Sequence, residues 1–167
     1  MITLVEPCER YLESYIEAYK EYAEKGITTY HFDNAEEYDI FEKYENYRLG
    51  RNLKPNRVPA DYYWLVDDEK AYFIGEISVR HILTDALKKY GGNIGYGVRC
   101  GEWGKGYGTK MLCFALERAK DLGLKRVLVT CDDDNPASAR VMEKNGMKLE
   151  DRIDYEGVLI RRYWKVL

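Results

Sequence analysis

Residues 93–131, "NIGYGVRCGEWGKGYGTKMLCFALERAKDLGLKRVLVTC", leave few ways to fold. The segment "NIGYGVRC" reads as a strand, although glycine stands at 95 and 97. Glycines at 104, 106 and 108 then open an amphipathic stretch. Its periodicity predicts a helix from about Gly106 to Leu122, with Gly123 as the stop. "KRVLVTC" follows, nearly all apolar, and reads as a strand covered on both faces. Strand, helix and strand in this order form a right-handed crossover, which sets the two strands parallel.

The flanking sequence completes an order ααβββαβαββ. Residues 6–25 read as a helix closed by Gly26. Residues 33–49 read as a second helix, capped by Asp33 or Asn34 and ended by Gly50. "RNLKPNRVPAD" is a loop punctuated by Pro55 and Pro59. "YYWLV" and "AYFIGEISVRHIL" read as strands around an acidic turn at Asp67–Glu69, and Ile2–Val5 is a further candidate strand. "DALKKYGG" is a connection with room for one helical turn. Asn135 opens a short helix with Pro136 in its first position, where a missing N–H costs nothing. Gly146 ends that helix, and residues 147–167 read as a hairpin turning near Glu156–Gly157. No linker interrupts the pattern, so residues 1–167 are expected to form one α/β domain with a mixed sheet.

Bulk properties exclude several classes of protein. A net charge of −3 and 33% charged residues give no electrostatic footprint for nucleic acid. No apolar run approaches a membrane span, and the N-terminus has no secretory pattern, so a cytoplasmic location is expected. The four cysteines form no CxxC pair, and His31 and His81 have no partner at ligand spacing, so no metal is expected. Asp132, Asp134 and Glu143 stand at calcium-loop positions, but Pro136 and Ala137 fill places that need a ligand and a glycine. Tyrosine occurs 16 times. Tyr11, Tyr15, Tyr19 and Tyr22 share one helix face and read first as a packing stripe, with an aromatic substrate wall as the alternative.

The glycine loop points to an anion. A helix start carries unpaired N–H groups and a partial positive charge, and bare glycines let a ligand approach the main chain. Lys105 and the Thr109 hydroxyl can add a charge and a donor. A phosphate or diphosphate is the expected cargo. The P-loop pattern fails because Tyr107 and Gly108 stand where Lys and Ser or Thr belong, and the dinucleotide fingerprint fails at Thr109.

"WGKGYGTKML" does resemble the coenzyme A diphosphate loop of the GNAT superfamily of N-acyltransferases, (Q/R)xxGxG(A), with Trp103 in place of the leading Gln or Arg. "DNPASARVMEKNGMKLE" is similar to the later motif of that superfamily, with Asn135, Ser138, Gly146 and Met147 at its spacing. The wording is closest to the bacterial predicted-acetyltransferase group. The resemblance implies a mostly antiparallel sheet flanked by helices and splayed between two parallel central strands. It implies acetyl-CoA as cosubstrate, held by Gly104, Lys105, Gly106, Tyr107, Gly108 and Thr109 at the diphosphate. Tyr96 and Val98 would bond the pantetheine arm through their main chain, and Asn135 and Ser138 would border it. Glycines at 95 and 97 fit a strand that another backbone approaches. As a helix opener, Asn135 is equally an N-cap.

Direct attack of an amine on the thioester forms an oxyanion, which a main-chain N–H near Val98 can stabilise by roughly 3–4 kcal/mol. A base must take the proton of the amine. Several members of the family that the chain resembles use a Glu on a central strand, and the resemblance makes Glu76 the candidate, on a strand face expected to include Ile74, Ser78 and Arg80; an ion pair with Arg80 or a neighbouring strand is the structural alternative. The common tyrosine acid of the family falls on Met142, so leaving-group protonation has no assigned residue. Cys131 reads as a buried thiol and not as a nucleophile. The expected acceptor is a small amine or a protein N-terminus, and the resemblance leaves a homodimer open. The competing function is a non-catalytic acyl-CoA-binding or regulatory module of the same fold.

Overall fold

The tyrosine stripe is a packing stripe. The computed structural model describes residues 1–167. In it, Tyr15, Ala18 and Tyr22 are buried along helix α1 (Leu12–Lys25), Tyr11 is buried in the short 3₁₀ turn that precedes it, and Tyr19 is half-buried against the same cluster. They pack on one face of a four-stranded antiparallel sheet: β1 (Ile2–Val5), β2 (Ala60–Asp67), β3 (Tyr72–Arg80) and β4 (Ile94–Val98), in that order. The Tyr15 ring stacks on Trp64 at 4.7 Å and meets Phe73 edge-on at 5.0 Å. Each large side chain fully buried here contributes about 1.5–3 kcal/mol.

The second helix starts later than expected. Helix α2 spans Ile40–Leu49, and its cap is Asp39, whose side chain accepts from the N–H groups of Phe41 and Glu42. Asp33 is engaged elsewhere, by the Tyr38 hydroxyl and Lys43. Residues 27–39 are instead an irregular segment that crosses the sheet. Helix α3 (Asp85–Lys89) is a single turn capped by Thr84.

The other face of the sheet carries α4 (Tyr107–Asp121), which buries Met111, Leu112, Ala115 and Ala119. The second sheet has the order β5–β7–β6, with β5 at Arg126–Asp132, β6 at Lys148–Tyr155 and β7 at Val158–Val166. Helix α5 (Pro136–Lys144) joins β5 to β6. The β6–β7 turn falls at Glu156 and Gly157, both with positive φ (51° and 83°). That pair of angles is what a two-residue hairpin turn requires. No helix is long and apolar enough to cross a membrane.

As the resemblance implied, the mostly antiparallel sheet is splayed between two parallel central strands: two antiparallel ladders are set edge to edge by the crossover β4–α4–β5. Asn93 makes the junction. Its N–H donates to the Leu128 carbonyl (2.7 Å), and its Oδ1 accepts from the Leu128 N–H (2.9 Å). On the other side its carbonyl accepts from the Arg80 N–H (2.6 Å), and its Nδ2 donates to the Arg80 carbonyl (3.2 Å). Gly92 beside it has φ 60°, and a Cβ there would lie 2.3 Å from the Leu128 oxygen. Beyond this point β4 and β5 share no ladder, and the sheets part.

Candidate active site

The cleft opened by that parting has β4 for one wall. Arg80 N–H reaches Asn93, and Arg99 N–H reaches the Ile74 carbonyl at 2.7 Å. Residues 95 and 97 therefore turn their backbone groups to β3, while Ile94, Tyr96 and Val98 turn theirs into the cleft. The Val98 carbonyl is already taken: the Tyr22 hydroxyl and the Trp103 indole N–H (2.8 Å) both donate to it. Trp103 is 52% exposed and so combines an apolar face with this one polar tie. Of the two main-chain groups expected from Val98, only the N–H remains for a ligand.

At the mouth of the cleft, Gly104 and Gly106 hold φ of 77° and 83°. A Cβ at either would meet nothing within 4 Å, so their bare sides face open space. The N–H groups from Gly104 to Thr109 donate to no acceptor in the chain; the first is Lys110 N–H, to the Gly106 carbonyl at 3.2 Å. Gly108 is bare for a different reason. Its Cβ would lie 3.3 Å from Val141 and 3.7 Å from the Tyr96 ring, so α4 approaches α5 closely here. Consecutive unpaired donors around two left-handed glycines form an anion cradle, and a diphosphate fits the chemistry of that donor set. Lys105 is not free to complete it: its Nζ lies 2.9 Å from Glu102 Oε2. Burial opposes ionisation of Glu102, but Lys105 and the Tyr72 hydroxyl hold its pKa below the usual value.

The far wall holds Asn135 and Ser138. Asn135 caps α5, accepting from the Ser138 N–H at 3.1 Å. The Ser138 hydroxyl meets the Tyr96 hydroxyl at 2.8 Å, so this pair bridges β4 to α5. Burial pushes the Tyr96 phenol up to about 12. Met142 is wholly buried, and Cys131 is a buried thiol pushed up to about 11 by desolvation. Arg161 and Arg162 are tied to Asp133 and Asp151.

Glu76 does not share a face with Ile74. The β2–β3 register slips between Leu65 and Val66, leaving Ile74 as the extra residue of a bulge. Ile74 packs toward α4, and Glu76 turns to the α1/α2 face with Trp64, its cross-strand partner. Nor does it pair with Arg80. Tyr30 donates to Oε1 at 2.6 Å; Tyr44 (2.6 Å) and the Trp64 indole (2.9 Å) donate to Oε2. Glu76 is 1% exposed. Burial raises its pKa, and the three donors offset that only in part. Tyr30 explains one glycine that the sequence assigned to a ligand. A Cβ on Gly97 would lie 2.4 Å from the Tyr30 ring, so the close approach at this point is by a side chain of the protein itself.

Residues 2–148 match the family model described as the acetyltransferase (GNAT) domain. The chain belongs to the GNAT acetyltransferase family. Solved structures of the same fold include the microcin C7 self-immunity acetyltransferase MccE in complex with acetyl-CoA and AMP. It is 20% identical, with 99% of this chain and 92% of that one covered and a TM-score of 0.71. RimL, a ribosomal-protein alpha-N-acetyltransferase in complex with coenzyme A, is 16% identical over 99% and 94%, with a TM-score of 0.69. A spermidine N-acetyltransferase SpeG chimera from Vibrio cholerae and hSSAT is 16% identical over 99% and 95%, at 0.64. No curated protein sequence matches the chain significantly.

In this GNAT domain the structure brings Tyr96, Val98, Gly104 to Thr109, Asn135 and Ser138 around one cleft, and sets Glu76 behind β4 on the opposite face. Sequence reading passed over Asn93, Tyr30 and the free side of Arg80. Only Asn93 left a signal, as a polar residue at the start of an otherwise apolar strand.

Proposed function

We propose that residues 1–167 form one N-acetyltransferase domain that moves the acetyl group of acetyl-CoA to a primary amine by direct attack in a ternary complex. The observation that carries the reading is the run of unpaired N–H groups from Gly104 to Thr109, opening beside a strand edge that is itself unpaired. The cradle takes the diphosphate, and Tyr96 and the Val98 N–H take the pantetheine arm and the thioester oxygen. A donor at the oxyanion contributes about 3 kcal/mol to the barrier.

In this reading the amine arrives on the Glu76 side of β4. Glu76 is the base, and Tyr30 carries the proton to it. The hydroxyl of Tyr30 already points at Oε1, and burial keeps that phenol well above its usual range. It therefore passes one proton on as it accepts another, without forming a free phenolate. A buried carboxyl with a raised pKa is a better base near neutral pH than an exposed one. The N-acetyltransferase activities of RimL and the spermidine enzyme chimera support an amine acceptor in general terms. The test is calorimetry with acetyl-CoA and coenzyme A, followed by thiol release across an amine panel. Absence of acetyl-CoA binding would end the proposal; binding without thiol release would leave the non-catalytic module.

A further inference from the structure

The two oxygens of Glu76 are held from different sides of the sheet. Trp64 stands across from Glu76 on β2, and Gly97 stands across from it on β4. From the β2 side, the Trp64 indole (2.9 Å) and the Tyr44 hydroxyl (2.6 Å) both donate to Oε2. From the β4 side, Tyr30 alone donates to Oε1, at 2.6 Å, with its ring set against Gly97.

A carboxylate oxygen offers two lone-pair directions. Both are used at Oε2, and one stays open at Oε1. An indole N–H only donates, so Trp64 holds Oε2 as an acceptor in either protonation state and never takes a proton from it. A proton that reaches Glu76 therefore lands on Oε1.

Neutral donors alone serve this charge. The titratable groups facing Glu76 are Tyr15 on α1, Tyr30, Asp33 and Tyr38 on the segment before α2, Tyr44 on α2 and Tyr62 on β2. Lys43 on α2 pairs with Asp33, and Arg80 on β3 donates to the Gly91 and Gly92 carbonyls. Burial raises the carboxyl pKa, and Tyr30, Tyr44 and Trp64 pull it back. If Tyr44 served packing alone, its ring would suffice and its hydroxyl would not matter to the charge.

We propose that Tyr44 and Trp64 are positioning residues of the transfer: by filling Oε2 they reserve Oε1, beside Tyr30, as the atom of Glu76 that takes the proton of the amine. As the amine nitrogen attacks the thioester, its proton passes to the Tyr30 oxygen and the Tyr30 proton passes to Oε1. Tyr30 returns that proton to water after product leaves. This role rests on the acetyl-transfer reading above and names the atom at which its base works.

The test is the pH dependence of thiol release from acetyl-CoA, with the best acceptor among spermidine, n-butylamine and methioninamide. Tyr44→Phe keeps the ring, which packs on Tyr62 at 4.9 Å and on Trp64 at 6.1 Å. It removes one hydrogen bond to a charged oxygen, so the rising limb should move up by about one pH unit or more. Tyr30→Phe breaks the relay and should lower the plateau by about 10²-fold, far more than Tyr44→Phe does. A Tyr44→Phe rate that falls by one factor at every pH, with its limb in place, would overturn the positioning role. So would a plateau that falls as far as in Tyr30→Phe. An unchanged profile in Glu76→Gln would instead remove the base itself, and the role of Tyr44 with it.

The Trp64 indole proton gives a second readout, by nuclear magnetic resonance, that needs no turnover. Its resonance should move with pH as Oε2 changes from carboxylate to carboxylic acid, and Glu76→Gln should abolish the move. In Tyr44→Phe the midpoint should rise by about one pH unit or more. If no amine is acetylated, a midpoint that stays in place refutes the positioning role. If Tyr44→Phe does not fold, an indole resonance that ignores pH in the unaltered protein refutes it, and one that follows the rate supports it.

Discussion

Replacing Asn93 with alanine should loosen the junction between the two sheets. The substitution removes two side-chain hydrogen bonds and leaves two backbone groups without partners. These are the Leu128 N–H and the Arg80 carbonyl. Leu128 is fully buried, so its N–H has no ready replacement in water. Each orphaned group costs about 1–3 kcal/mol, so the sum is about 2–6 kcal/mol. The lower half of that range is expected, because the carbonyl sits nearer the edge. For a chain of this size about 3 kcal/mol lowers Tm by about 6–12 °C. Urea unfolding followed by tryptophan fluorescence reads the change as a shift in midpoint at constant slope. Coenzyme A affinity should fall in parallel, since Asn93 sets where β4 leaves β5 and hence the width of the cleft. A loss below about 0.5 kcal/mol, with coenzyme A affinity unchanged, would show that the junction is held elsewhere and refute the argument.

Gly106→Val places a β-branched residue at φ 83°. It should cost about 1–3 kcal/mol in stability, and coenzyme A affinity measured by calorimetry should fall about 10-fold or more; an unchanged affinity would remove the cradle from the account. Glu76→Gln should lower the rate by about 10²-fold or more. Because burial raises the carboxyl pKa, the wild-type rate should climb with pH through that raised value, and the variant should lose this limb. The same sign governs stability: protonated Glu76 suits the fold, so its contribution is full in acid and is lost as pH rises through the folded pKa, a slope that the variant should flatten in denaturation curves. Cys131, pushed up to about 11, should resist a thiol reagent at pH about 8, while exposed Cys8 and Cys113 react at once; fast labelling at Cys131 would mean that the β5 end of the cleft opens.

The elements were largely readable because their signals are local. The glycine stops at 26, 50 and 123, the Asn135–Pro136 helix start and the Glu156–Gly157 turn each depend on a few adjacent residues, and the structure has them in place. The start of α2 was not readable in this way. Asp33, Asn34 and Asp39 are all chemically able to cap, and the choice fell to Asp39 once Asp33 was engaged by Tyr38 and Lys43. The face of Glu76 was misjudged because strict alternation cannot foresee a bulge. The extra residue, Ile74, exists only in relation to the pairing with β2.

The linear chain by itself determined the cradle of unpaired N–H groups, since glycines, a helix start and their spacing are contiguous, and with it the crossover that must carry the cradle. Only the tertiary structure decided which groups around the cradle stay available. Lys105 is spent on Glu102 and the Val98 carbonyl on Tyr22 and Trp103, while Arg80 is left without a carboxylate. A charge or a carbonyl in a sequence is only a capacity to bond. Whether it is used up depends on partners tens of residues away, which packing alone brings within about 3 Å.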